Sequence, residues 1–164
     1  AAALRLGAAG SDTTFTCSKV SDVRVGARIP GWGLVRDDVL DKHPHGRIDL
    51  HDAIVRSCNA YFAQLAVRLG PGPILDTAAL VGVSVSRDGS AGRLRASLPH
   101  AGYGQGDVVA TPLRMARIAA AIAGDGVLRE PRIERTDERS SPGSGEEEAP
   151  ADIQPDDVEK GTAR

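Results

Sequence analysis

Between residues 50 and 69 apolar side chains return at three- and four-residue steps: Leu50, Ile54, Val55, Phe62, Leu65, Ala66 and Leu69. That spacing aligns them along one helical stripe, which must be buried against the rest of the chain. Asp49 stands in front of the run as an N-cap, and Gly70-Pro71-Gly72-Pro73 closes it. Periodicity alone admits a single continuous helix over residues 50–69. Any fold of this chain has to be built around it.

The flanking segments supply shorter elements. Residues 1–6 are Ala/Leu-rich and stop at Gly7, reading as the last turns of a helix. Residues 12–17 have the Thr/Phe character of a short strand, and residues 26–33, with Pro30 between two glycines, read as a loop around Trp32. A short helix is expected over 73–81 and irregular chain over 83–99. Thr111-Pro112 starts another helix, because Thr caps free amides and Pro at the first position needs no donor. Met115, Ile118, Ala119 and Ile122 line one face of it, Gly124 and Gly126 end it, and Val127-Leu128 begins an extended segment. No internal repeat is present, and the mixture is α+β.

Aromatic residues make up only 3% of the 164 residues, so a core must come mostly from Ala, Val, Leu and Ile. The net charge is −2, and no Lys/Arg stripe interleaves with aromatics, so no nucleic-acid partner is expected. The four histidines, His43, His45, His51 and His100, lack cysteines at structural-zinc spacing, so no metal or cofactor is expected, and His45 and His51 read as loop or surface residues. Cys17 and Cys58 could pair, a matter of geometry that spacing leaves open. No apolar stretch approaches the roughly 20 residues that cross a bilayer, and no signal segment opens the chain. Residues 134–157, rich in Ser, Gly, Pro, Glu and Asp, are expected to be a flexible acidic linker, with 158–164 the start of a following segment.

Three clusters point to chemistry. Arg56-Ser57-Cys58-Asn59-Ala60-Tyr61-Phe62 holds the chain's only asparagine; Gly102-Tyr103-Gly104-Gln105-Gly106 and Ala110-Thr111-Pro112-Leu113 follow. With His45-Gly46, Ile48-Asp49-Leu50 and Ala53-Ile54 ahead of them, their order and spacing resemble the central part of a penicillin-binding protein transpeptidase domain. The resemblance covers residues 1–133. It implies a mostly helical subdomain with fragments of an antiparallel sheet, and two helices with Ser57-Cys58-Asn59 exposed at the joint between them. Ser57 and Asn59 match the Ser-x-Asn motif of that superfamily of serine acyltransferases. Through it Ser57 would relay protons between a lysine and the leaving amine, and Asn59 would hold the substrate amide. The implied partners are peptidoglycan stem peptides and β-lactams. The implied location is the extracytoplasmic face of a bacterial membrane, where the whole protein would be anchored among the cell-wall synthesis machinery.

The family's other two motifs are missing. Three places before Lys19, Lys42 and Lys160 stand Thr16, Val39 and Asp157, so no Ser-x-x-Lys exists, and Lys160-Gly161-Thr162 has the wrong order for Lys-Thr-Gly. Both gaps would fall at the ends, the pattern expected of a domain truncated on both sides and inactive by itself. A β-lactam sensor or non-catalytic homologue is the rival reading; a class D β-lactamase fits less well, since that group usually has Val or Ile where Asn59 stands. As an isolated triplet, Ser57 would be only a helix cap and Asn59 a turn residue. The glycines of 102–106 lack P-loop spacing and read as points of close backbone packing.

Overall fold

A computed structural model describes residues 1–10 and 12–131. The linker expected over 134–157 and the segment 158–164 lie outside the described residues. The chain opens with the short helix α1 (Ala2–Arg5) and continues into strands β1 (Phe15–Ser21), β2 (Arg24–Ile29), β3 (Gly33–Arg36) and β4 (Gly46–Ile48). Five helices follow: α2 (Leu50–Val55), α3 (Asn59–Leu69), α4 (Pro71–Val81), α5 (Ala91–Ala101) and α6 (Pro112–Ala123). The strands form one antiparallel sheet in the order β3-β2-β1-β4, with Phe15 opposite Ile48, Ser18 opposite Gly26 and Gly26 opposite Arg36.

Helix α3 packs against both the sheet and two of the helices. One side lies on β1, β2 and β3, the other on α4 and α5. Ala60, Tyr61, Ala63, Leu65 and Ala66 are all buried. Three of those five are alanines, so neighbouring backbones come close, and a core poor in aromatics still closes. Tyr61 supplies the bulk: its ring packs edge-on against Phe15 and Phe62 at 5.2 and 5.3 Å, and its hydroxyl donates to the Thr13 carbonyl at 2.7 Å.

The structure corrects three expectations about elements. The first strand starts at Phe15 and runs on to Ser21, where residues 12–17 were expected. Residues 26–29 belong to β2 rather than to a loop, because Val25, Ala27 and Ile29 alternate into the core. Gly26 is there for clearance: a Cβ at this position would collide with the Val35 carbonyl of β3. Residues 83–99 are not irregular throughout, since α5 occupies their second half. Ser90 caps it by accepting from the Arg93 amide at 3.1 Å, and Leu94 and Leu98, one turn apart, are fully buried. Pro99 sits beyond a break at Ser97, whose φ/ψ of −119°/16° leaves the helical region.

The helix caps read from the sequence stand where expected. Asp49 accepts from the Asp52 amide at 2.9 Å and starts α2; Thr111 accepts from Arg114 at 3.2 Å and starts α6. Helix α4 begins two residues before the expected 73 because Pro71 takes the first helical position. Helix α6 forms as expected, yet Met115, Ala119 and Ile122 of its apolar face are exposed, Ile118 is half-buried and the helix's one buried residue is Arg117. No described helix is long and apolar enough to cross a membrane.

Candidate active site

The periodic run of residues 50–69 breaks into two helices where the Ser-x-Asn triplet lies. Helix α2 ends at Val55, and the amides of Ser57 and Cys58 fold back onto the Ile54 and Ala53 carbonyls at 3.1 and 3.0 Å. Closing the turn that way requires a left-handed residue, and it is Ser57, with φ of +52°. Glycine is the usual occupant of this helix-terminating position, since a side chain there costs roughly 1–2 kcal/mol. Ser57 is exposed, and among the described residues its hydroxyl makes no hydrogen bond.

Three contacts fix the other side of the joint. The Asn59 side-chain Nδ2 donates to the Arg36 carbonyl at 3.2 Å, tying the triplet to the end of β3. Asp37, buried, accepts from the Ala60 amide at 2.9 Å through Oδ1, placing a carboxylate at the positive end of α3. Cys58 is the N-cap, its Sγ accepting from the Tyr61 amide at 3.4 Å. The start of α3 is thus capped partly in trans, by a residue twenty-three positions earlier. Local sequence carries no sign of that arrangement, so no motif singles out Asp37. An acidic residue just after a strand is the only trace.

Cys17 and Cys58 are both free thiols and both buried. Each donates toward Asp37 Oδ2, at 2.9 and 3.5 Å. Burial, reinforced by the hydrogen bond to Asp37, pushes the Cys17 thiol up to about 11; burial also pushes Cys58 up, against the opposing pull of the Tyr61 amide. Both thiols are therefore neutral at pH 7 and poor nucleophiles. His45 lies in the loop before β4, in keeping with its sequence context, but not on the surface: its side chain is 7% exposed and faces the same carboxylate. His51 is a surface residue, as expected.

An acyl-transferring serine needs a base within hydrogen-bond reach. Among the described residues no lysine hydrogen-bonds Ser57: Lys19 pairs with Asp22 at 3.8 Å and Lys42 donates to the Val39 carbonyl at 3.0 Å. A cavity of about 260 Å³, lined by Ala3, Leu4, Leu50, Tyr61, Leu65 and Ile74 among others, is apolar and includes neither Ser57 nor Asn59. Gly102 acts as anticipated for the glycine cluster: a Cβ there would strike the Phe62 carbonyl and Ala66, so the end of α5 lies directly on α3.

The whole sequence, residues 1–164, matches the family model for the penicillin binding protein transpeptidase domain. The chain belongs to that family. Among solved structures it is similar to the crystal structure of PBPA from Mycobacterium tuberculosis, with 27% sequence identity and a TM-score of 0.62. The similarity covers 78% of this chain and 30% of that one, so the chain spans under a third of its relative's length. No match was found among curated proteins. The α+β arrangement of a four-stranded antiparallel sheet and packed helices is that of a penicillin-binding transpeptidase fold fragment.

Proposed function

We propose that this chain supplies the Ser-x-Asn part of a peptidoglycan D,D-transpeptidase, an enzyme that cross-links stem peptides through a serine acyl-enzyme and is acylated by β-lactams. In this reading a serine of a Ser-x-x-Lys motif, which the 164 residues do not contain, attacks the peptide carbonyl after losing its proton to the lysine. Ser57 passes that proton on to the leaving amine. Asn59 holds the substrate: with Nδ2 already committed to the Arg36 carbonyl, its Oδ1 is left to accept from a substrate amide. The whole protein would act on the extracytoplasmic face of the membrane, anchored among the cell-wall synthesis machinery.

The observation that carries the reading is the placement of Ser57. A serine occupies a left-handed position that glycine fills without strain, its hydroxyl is open to solvent, and the next turn is anchored on both sides. Backbone strain of this kind, held in place by surrounding contacts, clusters at working sites. The test has two arms. The isolated chain, lacking an activated nucleophile, forms no covalent adduct with a fluorescent penicillin; stoichiometric labelling at Ser57 would overturn the proposal. In a transpeptidase domain that carries these residues together with Ser-x-x-Lys and Lys-Thr-Gly, Ser57→Ala slows β-lactam acylation by about 10²–10⁴-fold. Asn59→Ala slows it to a degree that varies with the ligand, while Ser18→Ala does not. Unchanged acylation in both motif variants would sink the assignment.

A further inference from the structure

Four metal-ligating side chains from four separate segments meet beneath the Ser57 turn. Cys17 comes from β1, Asp37 from just after β3, His45 from just before β4 and Cys58 from the start of α3. Their ligand atoms all lie within 4.8 Å of one another. Asp37 Oδ2 is 2.9 Å from Cys17 Sγ, 3.5 Å from Cys58 Sγ and 3.8 Å from His45 Nδ1. A tetrahedral zinc ion, with bonds of about 2.3 Å to sulfur and about 2.0–2.1 Å to nitrogen or oxygen, sets its ligands roughly 3.3–3.8 Å apart. The Asp37–Cys58 separation already matches the roughly 3.5 Å of an oxygen–sulfur pair, the Asp37–Cys17 separation opens once the thiol proton between the two atoms is gone, and His45 Nδ1 closes toward the roughly 3.3 Å of a nitrogen–oxygen pair.

The histidine gives the independent sign. His45 is more than nine-tenths buried, and Nδ1, on the side facing the two thiols and Asp37, has no hydrogen-bond partner among the described residues. An orphaned polar atom in the interior costs about 1–3 kcal/mol, so such atoms call for an explanation. The other ring nitrogen, Nε2, faces Asp41 Oδ1 at 3.7 Å. A carboxylate behind one imidazole nitrogen, with the other nitrogen turned into a donor cluster, is the arrangement that orients metal-bound histidines.

We infer that Cys17, Asp37, His45 and Cys58 form a closed zinc site that ties the Ser57–Asn59 joint to the sheet. Two thiolates and an imidazole with one carboxylate suit zinc, whereas calcium and magnesium demand more oxygen ligands. Binding exchanges two thiol protons, released to solvent, for one doubly charged ion, so the net charge of the buried cluster does not change. With all four positions filled by protein the ion has no open site, and its role is structural. The assignment stands whether or not Ser57 and Asn59 serve acyl transfer.

The experiment uses the full 164-residue chain, expressed with zinc and purified without chelator. Elemental analysis finds about one zinc per chain, and cobalt substitution gives the thiolate charge-transfer and tetrahedral absorption bands of a sulfur-ligated ion. Competition with a chromophoric chelator shows zinc affinity lowered about a hundredfold or more in Cys17→Ser and in His45→Ala, and unaltered in His51→Ala, whose imidazole is on the surface. His45→Ala removes no contact that caps α3, so its far-UV spectrum separates lost binding from lost folding. Three results would overturn the inference: reduced wild-type chain that takes up no zinc, folded His45→Ala that binds zinc like the wild type, or a Cys17–Cys58 disulfide which, once reduced in the presence of zinc, still yields a metal-free chain.

Discussion

The indole Nε1 of Trp32 donates a hydrogen bond to the Arg95 carbonyl at 3.0 Å. In an unbroken helix that carbonyl would accept from the amide of residue 99, but residue 99 is proline and has none. A side chain from the turn between β2 and β3 therefore completes a helix sixty-three residues away, and the sheet is stapled to α5 at its break.

Trp32→Phe keeps most of the ring's packing and deletes the donor, so it lowers stability by about 1 kcal/mol, readable in urea midpoints. In a Pro99→Ala background the alanine amide competes for the same carbonyl, and the loss shrinks. Equal losses in both backgrounds would show that the indole donor is incidental.

Gly102 is what lets α5 approach α3 so closely. Its φ of −58° is one any residue adopts, so substitution adds no backbone strain and the whole effect is steric. A Cβ would lie 2.7 Å from the Ala66 Cβ and closer still to the Phe62 carbonyl. Gly102→Ala should destabilise the chain by about 1–3 kcal/mol. Gly104→Ala meets no neighbour but sits at φ of +81°, so its cost is conformational only. Thermal unfolding of the two variants compares these effects directly.

What could be read from the sequence followed from local chemistry. Asp49, Thr111 and Pro112 act within a few residues of themselves, and the helix starts they mark stand where residue type put them. Gly26 misled because a glycine needed for clearance between strands is written with the same letter as one needed for a turn. Helix α5 was hidden by Pro99 and its run of small residues, since what stabilises it is a serine cap, two buried leucines and the distant indole. Convergence of Cys17, Asp37, His45 and Cys58 depends on sheet order, because β1 lies between β2 and β4. No spacing rule contains that information.

The turn before α5 carries a pH dependence. The Ser90 amide at 2.9 Å, then the Ser86 hydroxyl at 2.8 Å, donate to Asp88 Oδ1 and hold its carboxyl down at about 2. A carboxyl in the unfolded chain titrates near about 3.9, so the folded value is the lower one. The stabilisation is then complete above about pH 4 and is lost as pH falls through about 2. Asp88→Asn removes this dependence: it is less stable than the wild type at neutral pH, and the gap closes on acidification. A gap that held constant down to about pH 2 would contradict the assignment.

At Ser57 stability and the proposed chemistry ask for different residues. The backbone angle of +52° favours glycine, whereas proton relay needs a hydroxyl. Ser57→Gly should raise stability by up to about 1 kcal/mol, because relief of left-handed strain is offset by the extra freedom glycine gives the unfolded chain. Ser57→Ala keeps the strain and loses only an exposed hydroxyl, so its urea midpoint stays close to the wild type. Both variants lack the hydroxyl and should be equally slow to acylate in a domain carrying all three motifs. Acylation that followed the melting temperature, faster in the glycine variant than in the alanine variant, would show that Ser57 acts through the shape of the joint and not through its oxygen. If instead Ser57→Gly is less stable than Ser57→Ala, the left-handed turn is not strained, and placement of a serine there loses its force as an argument for function.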